Sequence, residues 1–156
     1  MNRRNQIALT PDEATHYLTD AHTIVLATND KRGYPHLVAM WFAVEPDGTV
    51  VMTTFGKSQK VVNLRRDPRC TLLVETGRTY DQLQGLMLRC HATIDPDTEH
   101  VLDTLALVNR KYRMAGDGEG PELREAMRHQ ASKRVVLRIT PEKSASWDHR
   151  KLGGAY

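Results

Sequence analysis

Between residues 53 and 60 the chain reads Thr-Thr-Phe-Gly-Lys-Ser-Gln-Lys, which places three hydroxyls and two ammonium groups within eight residues. The apolar run before it reads as a strand and the Ser58 to Arg66 segment after it as a short helix, so these groups converge on a helix start. Backbone N–H groups at that start, the positive end of the helix dipole, two lysines and hydroxyl donors together suit a phosphate. The candidates are Thr53, Thr54, Lys57, Ser58 and Lys60. The same lysines would also suit a solvated helix face, and position along the chain is what favours the phosphate. Gly56-Lys57-Ser58 has the look of the end of a Walker A loop, but that loop needs glycine where Val51 stands. A nucleoside triphosphatase is therefore rejected.

Three further groups carry chemistry. Pro35 to Phe42 puts His36, Val38, Met40 and Phe42 on one strand face and Leu37, Ala39 and Trp41 on the other. Both faces read as buried, one lining a barrel and the other meeting a cofactor ring or a second subunit; plain core packing serves Trp41 and Phe42 as well. Ser146-Trp147-Asp148-His149-Arg150-Lys151 is an aromatic and charged run near the end of the chain, with Trp147 expected to dock on its own barrel or on a partner's site. Arg65, Arg66 and Arg69 follow the phosphate candidate and suit either an acidic ligand tail or a salt-bridged helix end.

Other chemistry is excluded by type and spacing. Cys70 and Cys90 lack Cys-x-x-Cys or Cys/His spacing and read as free core thiols, and the seven scattered histidines include no His-x-x-x-His pair, so no metal site is expected.

These groups need a scaffold, and the chain supplies short strands. Thr10-Pro11-Asp12-Glu13 is a capping box opening a helix to about Asp20. Thr23 to Thr28, Pro35 to Glu45 and Gly48 to Thr54 read as strands joined by the turns Asn29 to Gly33 and Pro46 to Gly48. Connections this short force antiparallel pairing and exclude a βαβ opening. Strands four and five follow at Arg69 to Glu75 and Gly85 to Ile94; a helix carries Val101, Leu102, Leu105, Val108 and Tyr112 on one face. A loop at residues 114–121, a second helical stretch to about Ala131 and a last strand from Lys133 to Ala145 complete the count. The expectation is a single domain over residues 1–156, mainly β (α+β), a six-stranded antiparallel split β-barrel with peripheral helices, since closure removes strand edges.

Composition agrees. A chain of 156 residues with 40% hydrophobic content can bury a core without disulfides or metal. The net charge of +3 suits a locally bound phosphorylated small molecule as readily as nucleic acid. No segment nears the roughly 20 apolar residues needed to cross a membrane, and no signal-peptide core follows Met1, so a cytoplasmic protein that engages neither membrane nor nucleic acid is expected.

The whole pattern is similar to the split β-barrel family of pyridoxamine-phosphate-oxidase-like flavoproteins. The resemblance rests on Leu9-Thr10-Pro11, Gly33-Tyr34-Pro35-His36, Thr53 to Lys60, Asn63 to Arg69, Tyr80 to Gly85 and Ser146-Trp147-Asp148, in that order and spacing. Within the family it most resembles the actinobacterial reductases that use the deazaflavin coenzyme F420. That resemblance implies a homodimer with cofactor sites at its interface, and hydride transfer from reduced F420 to an electrophilic, conjugated small-molecule substrate. It implies that Lys57, Ser58 and Lys60 bind the phosphate. Thr53, Thr54 and the backbone around His36, Leu37 and Val38 would line the ring and ribityl chain, while Tyr80, Gln84 and Trp147 would face the other subunit. Gln84 departs from an expected arginine and Cys90 from an expected glycine. An FMN-dependent oxidoreductase of the same fold, or a non-catalytic carrier of a cofactor or heme, are the alternatives. Pyridoxamine-phosphate oxidase activity itself is disfavoured, because its Trp-Arg pattern is only partly echoed by Trp147 and Arg150. His36 or Tyr80 could donate a proton, and packing roles serve them equally.

Overall fold

The structure, a computed structural model, describes residues 3–112 and 120–153. After a single turn, α1 (Arg3–Gln6), helix α2 (Pro11–Asp20) starts as its residues require. Thr10 is extended, its Oγ1 accepts the Glu13 N–H at 3.2 Å, and the Glu13 carboxylate accepts the Thr10 N–H at 2.7 Å. The strands are β1 (Ile24–Asn29), β2 (Pro35–Met40), β3 (Ala43–Val44), β4 (Val50–Phe55), β5 (Arg69–Thr76), β6 (Gln84–Asp95) and β7 (Arg134–Asp148). Helices α3 (Gln59–Arg66), α4 (Thr98–Tyr112) and α5 (Pro121–Ala131) join them. All strand pairs are antiparallel in the order β2-β1-β5-β6-β7-β4-β3, a sheet curled into a half-barrel.

Among the described residues there are seven strands rather than six, because the expected Pro35 to Glu45 strand is two. β2 pairs with β1 as far as Met40, whereas Ala43 and Val44 pair with Val51 and Val50 of β4. Trp41 and Phe42 are the switch: the fully buried Phe42 drops into the core, and the ladder changes partner across it. The face carrying Leu37, Ala39 and Trp41, read from sequence as buried, is exposed, with Leu37 at 62%.

Strand alternation feeds two cores. Leu26, Met52, Leu72, Leu88, Leu137 and Phe42 fill the barrel, while Val51 and Val136, one residue out of phase on β4 and β7, meet Val101, Leu102, Val108 and Ala131 under α4 and α5. On the outer face, Ala39, Val25, Leu73, Met87 and Ala145 lie in register across five strands. This apolar row is only partly buried.

The last strand runs past Ala145 to Asp148, and a 3-10 turn, His149–Leu152, follows it. Ser146-Trp147-Asp148 is thus sheet rather than tail. The ladder with β6 slips between Arg89 and Cys90, opposite Pro141, where an irregularity accommodates a residue with no N–H to donate. The segment at residues 113–119, read as a loop, lies outside the described residues. Among the described residues no helix is long and apolar enough to cross a membrane.

Candidate functional site

Helix α3 begins where Ser58 adopts φ −69° and ψ 152°, and its carbonyl accepts the Val61 and Val62 N–H groups at 3.0 and 3.1 Å. A serine at this position normally caps with its hydroxyl, but Ser58 makes no such bond. Its Oγ lies instead 3.3 Å from Thr54 Oγ1, which also accepts from Lys60 Nζ at 2.9 Å. Thr54 is buried, and burial pushes the Lys60 pKa down, because this ammonium meets a neutral hydroxyl rather than a carboxylate. The first turn of α3 carries no acidic residue, although acids are favoured there. The Gln59 and Lys60 amides, at the first two helical positions, have no intrahelical carbonyl to bond, whereas the Ser58 and Val61 N–H groups are taken by Phe55 and Ser58. A partly desolvated cation, two hydroxyls that meet only each other and that cation, and two open amides at one helix start fit a phosphate group.

The cradle is fixed from beneath. Val61 and Leu64 enter the barrel core, and between them the fully buried Asn63 donates to Thr28 Oγ1 at 3.0 Å and accepts from Gln59 Nε2 at 2.8 Å. Arg66 donates to the Asn29 carbonyl. Asn63 escaped the reading of the sequence; a polar residue four after Gln59, inside an apolar stripe, is the signal that marks it.

The expected site residues fall into three places. Thr54, Ser58 and Lys60 are in mutual contact. Lys57 is exposed beside them, in the turn between β4 and α3, with no partner among the described residues. Thr53 lies on the opposite face of β4, the side on which Val51 packs under the helices, so strand alternation separates it from Thr54.

His36 sits opposite Thr28 in the β1–β2 ladder, and its Nδ1 is buried without a hydrogen-bond partner. It lines a groove of about 550 Å³ with Pro35, Tyr34, Gln59, Val62 and Arg66, which brings β2 to the exposed side of α3. Val38 packs against the barrel core, and Leu37 projects outward.

Tyr80, Gln84 and Trp147 gather in a separate corner. Trp147 pairs with Gly85, and a Cβ on Gly85 would lie 2.1 Å from the Trp147 ring. Gln84 Nε2 donates to Asp148 at 3.4 Å, and Asp148 receives both arms of Arg150 at 2.8 and 2.7 Å. The Arg150 guanidinium holds the Asp148 carboxyl below its ordinary range. The Tyr80 ring stands edge-on to His149 at 4.7 Å, and Tyr17 donates to the Gln84 carbonyl at 2.9 Å. Cys70, just after α3, pairs with Cys90, and Gln84 lies six residues further along β6. Thr54 of the cradle pairs with Val135 and Gly85 of the corner with Trp147, so the two regions lie at opposite ends of β7.

Cys70 and Cys90, 20 residues apart in sequence, are directly opposed and free. Contact with Cys90 and burial push the Cys70 thiol far up, which makes it a poor nucleophile. Among the described residues, no group of His, Cys, Asp and Glu is arranged to hold a metal.

Comparison with known proteins bears on the family and the fold. Residues 10–148 match the pyridoxamine 5'-phosphate oxidase family. The F420H(2)-dependent biliverdin reductase of Mycobacterium tuberculosis (strain CDC 1551 / Oshkosh) is 29% identical over 103 residues, 65% of this chain and 72% of that protein. The crystal structure of a conserved hypothetical protein from Mycobacterium tuberculosis is 38% identical with a TM-score of 0.86, covering 98% of this chain and 93% of that one. A solved F420 reductase is 21% identical with a TM-score of 0.67, covering 86% of this chain and 98% of its own, a likeness of fold alone.

Proposed function

This chain belongs to the pyridoxamine 5'-phosphate oxidase family, and from that premise we propose that it is a reductase that holds reduced coenzyme F420 and delivers hydride to an electrophilic, conjugated organic acceptor. The observation that carries the reading is the contact of Lys60 with Thr54 beside a Ser58 hydroxyl that meets Thr54 and does not cap its helix. A bound phosphate supplies the acceptors this cluster lacks. The cofactor named for the 29% identical relative favours the deazaflavin. So does the exposed Arg65 in the last turn of α3, a cation suited to an acidic tail.

The deazaflavin, when bound, supplies the hydride. The chain's own groups bind and orient: Lys57, Ser58 and Lys60 hold the phosphate, and β2 from His36 to Val38 flanks the groove leading from it. His36 Nδ1, buried and unpartnered on that side, is the atom placed to hold a proton; Tyr80 belongs to the far corner.

The chain acts as a homodimer in this reading. The partly exposed row from Ala39 to Ala145, with Leu37 beside it, suits a second copy. The distance between cradle and corner within one chain leaves Tyr80, Gln84 and Trp147 to complete the partner's site.

The test is calorimetric titration of the purified protein with F420 and with FMN, followed by addition of an acceptor to the reduced complex. Selective F420 binding with consumption of reduced cofactor is expected. Preference for FMN would replace the cofactor, because the same cradle fits its phosphate; binding without consumption would make the protein a carrier.

A further inference from the structure

A second groove lies away from the phosphate cradle, at the end of α4. It measures about 640 Å³ and is lined by Asp20, His22, Leu107, Arg110, Lys111 and Tyr112, among others. One wall is aromatic: Tyr112 and His22 line it, and Trp41 backs Tyr112, stacked on it at 4.4 Å with planes 9° apart, while His22 stands edge-on to Trp41 and Tyr112 at 6.2 and 5.1 Å. Tyr112 is pinned there, because its hydroxyl donates to the His22 carbonyl at 2.6 Å and accepts the Phe42 N–H at 3.3 Å.

Lys111 is the anomaly. Its Nζ is buried, sits 3.5 Å from the centre of the Phe42 ring and 5.6 Å from that of Tyr112, and has no hydrogen-bond partner. An ammonium carries three donors, and buried polar groups are almost always satisfied. Aromatic faces return only part of that loss. Burial brings the Lys111 pKa down to about 8, partly opposed by the charge of Asp20. Lys60, also desolvated, at least has Thr54. Among the described residues the ammonium therefore has no hydrogen-bond acceptor, the Asp20 carboxylate acting on it only through its charge. Trp41 and Phe42 are also the residues at which the sheet switches from β2 to β3, directly beyond the strand that bears His36 to Met40.

We propose that Lys111 anchors the carboxylate of a planar, conjugated ligand that lies against the wall formed by Tyr112 and backed by Trp41. A flat π-system matches an aromatic face, and a carboxylate supplies the charge-assisted bond that Nζ lacks. That this ligand is the hydride acceptor rests on the reductase reading; the anion site itself does not.

Cinnamate and its neutral isostere cinnamamide serve as probes, titrated calorimetrically into the cofactor-free protein, so the outcome is independent of which cofactor binds. Cinnamate is expected to bind at least tenfold more tightly than cinnamamide. Lys111→Met should abolish that preference, and Lys111→Arg should retain it. No preference in the unmutated protein, no binding of cinnamate, or a preference that survives Lys111→Met would each overturn the proposal.

Discussion

The phosphate cradle and the Tyr80–Gln84–Trp147 corner are built from the same kinds of residue and are in opposite chemical states. In the corner every strong group is spent internally: Asp148 takes Arg150 and Gln84, and the Trp147 ring fills the space above Gly85. In the cradle the capacity is left over, with a cap hydroxyl that does not cap and an ammonium that meets only a threonine. Unsatisfied capacity at a rigid position marks a place for a ligand's charge, and satisfied capacity marks a pre-formed wall that can meet a ligand only by its shape.

Changes on each side should separate the two regions. The largest effect belongs to Lys57→Ala with Lys60→Ala. Charge-assisted contacts contribute roughly 1.5–3 kcal/mol each, so cofactor binding should weaken well over tenfold in calorimetry while the melting temperature barely moves. Unchanged affinity would remove the phosphate from this site. Next comes Gly85→Ala, whose Cβ would meet the Trp147 ring at 2.1 to 2.8 Å. Overpacking of this kind costs about 2 kcal/mol, and thermal unfolding should drop by roughly 4–8 °C. Cofactor affinity should fall less than in the lysine variant; an equal fall would make the corner as much a ligand site as the cradle.

Asn63→Leu should cost about 1–2 kcal/mol, since it leaves the buried Thr28 hydroxyl unpaired. It should also loosen cofactor binding through the displaced start of α3, which would show as a faster dissociation rate in stopped flow. The smallest effect is electrostatic. The Arg69 side chain and backbone hold the Asp67 carboxyl at about 2, below its usual 3.8. A lowered carboxylate stabilises the fold above its unfolded pKa, and that stabilisation is lost as pH falls through the folded value. The stability of the unmutated protein should therefore decline a little between pH 4 and 2, and Asp67→Asn should flatten that part of an acid titration followed by circular dichroism.

What could be read from the sequence was contiguous. The capping box at Thr10, the turn glycines and the segment from Thr53 to Lys60 each announce themselves within a few residues, because caps, turns and helix starts are local chemistry. What could not be read depends on register between distant segments. Asn63 meets Thr28 across 35 residues, Gly85 meets Trp147, and Lys111 meets Phe42. The partner switch at Trp41 is of the same kind: nothing in Pro35 to Glu45 says which neighbour each half will find. The glutamine at position 84 in place of an arginine also makes sense only in three dimensions, where Arg150 brings a guanidinium to Asp148 in the same corner.

The position of β7 has a consequence in time. It lies between β6 and β4, and β4 is synthesised some 80 residues before it. On the ribosome β1, β2, β5 and β6 can zip as they emerge, but β3 and β4 have no route into the main sheet until β7 appears. The halves of the barrel are joined only once β7 has emerged, and until then the facing edges of β6 and β4 stand open to pairing with other chains.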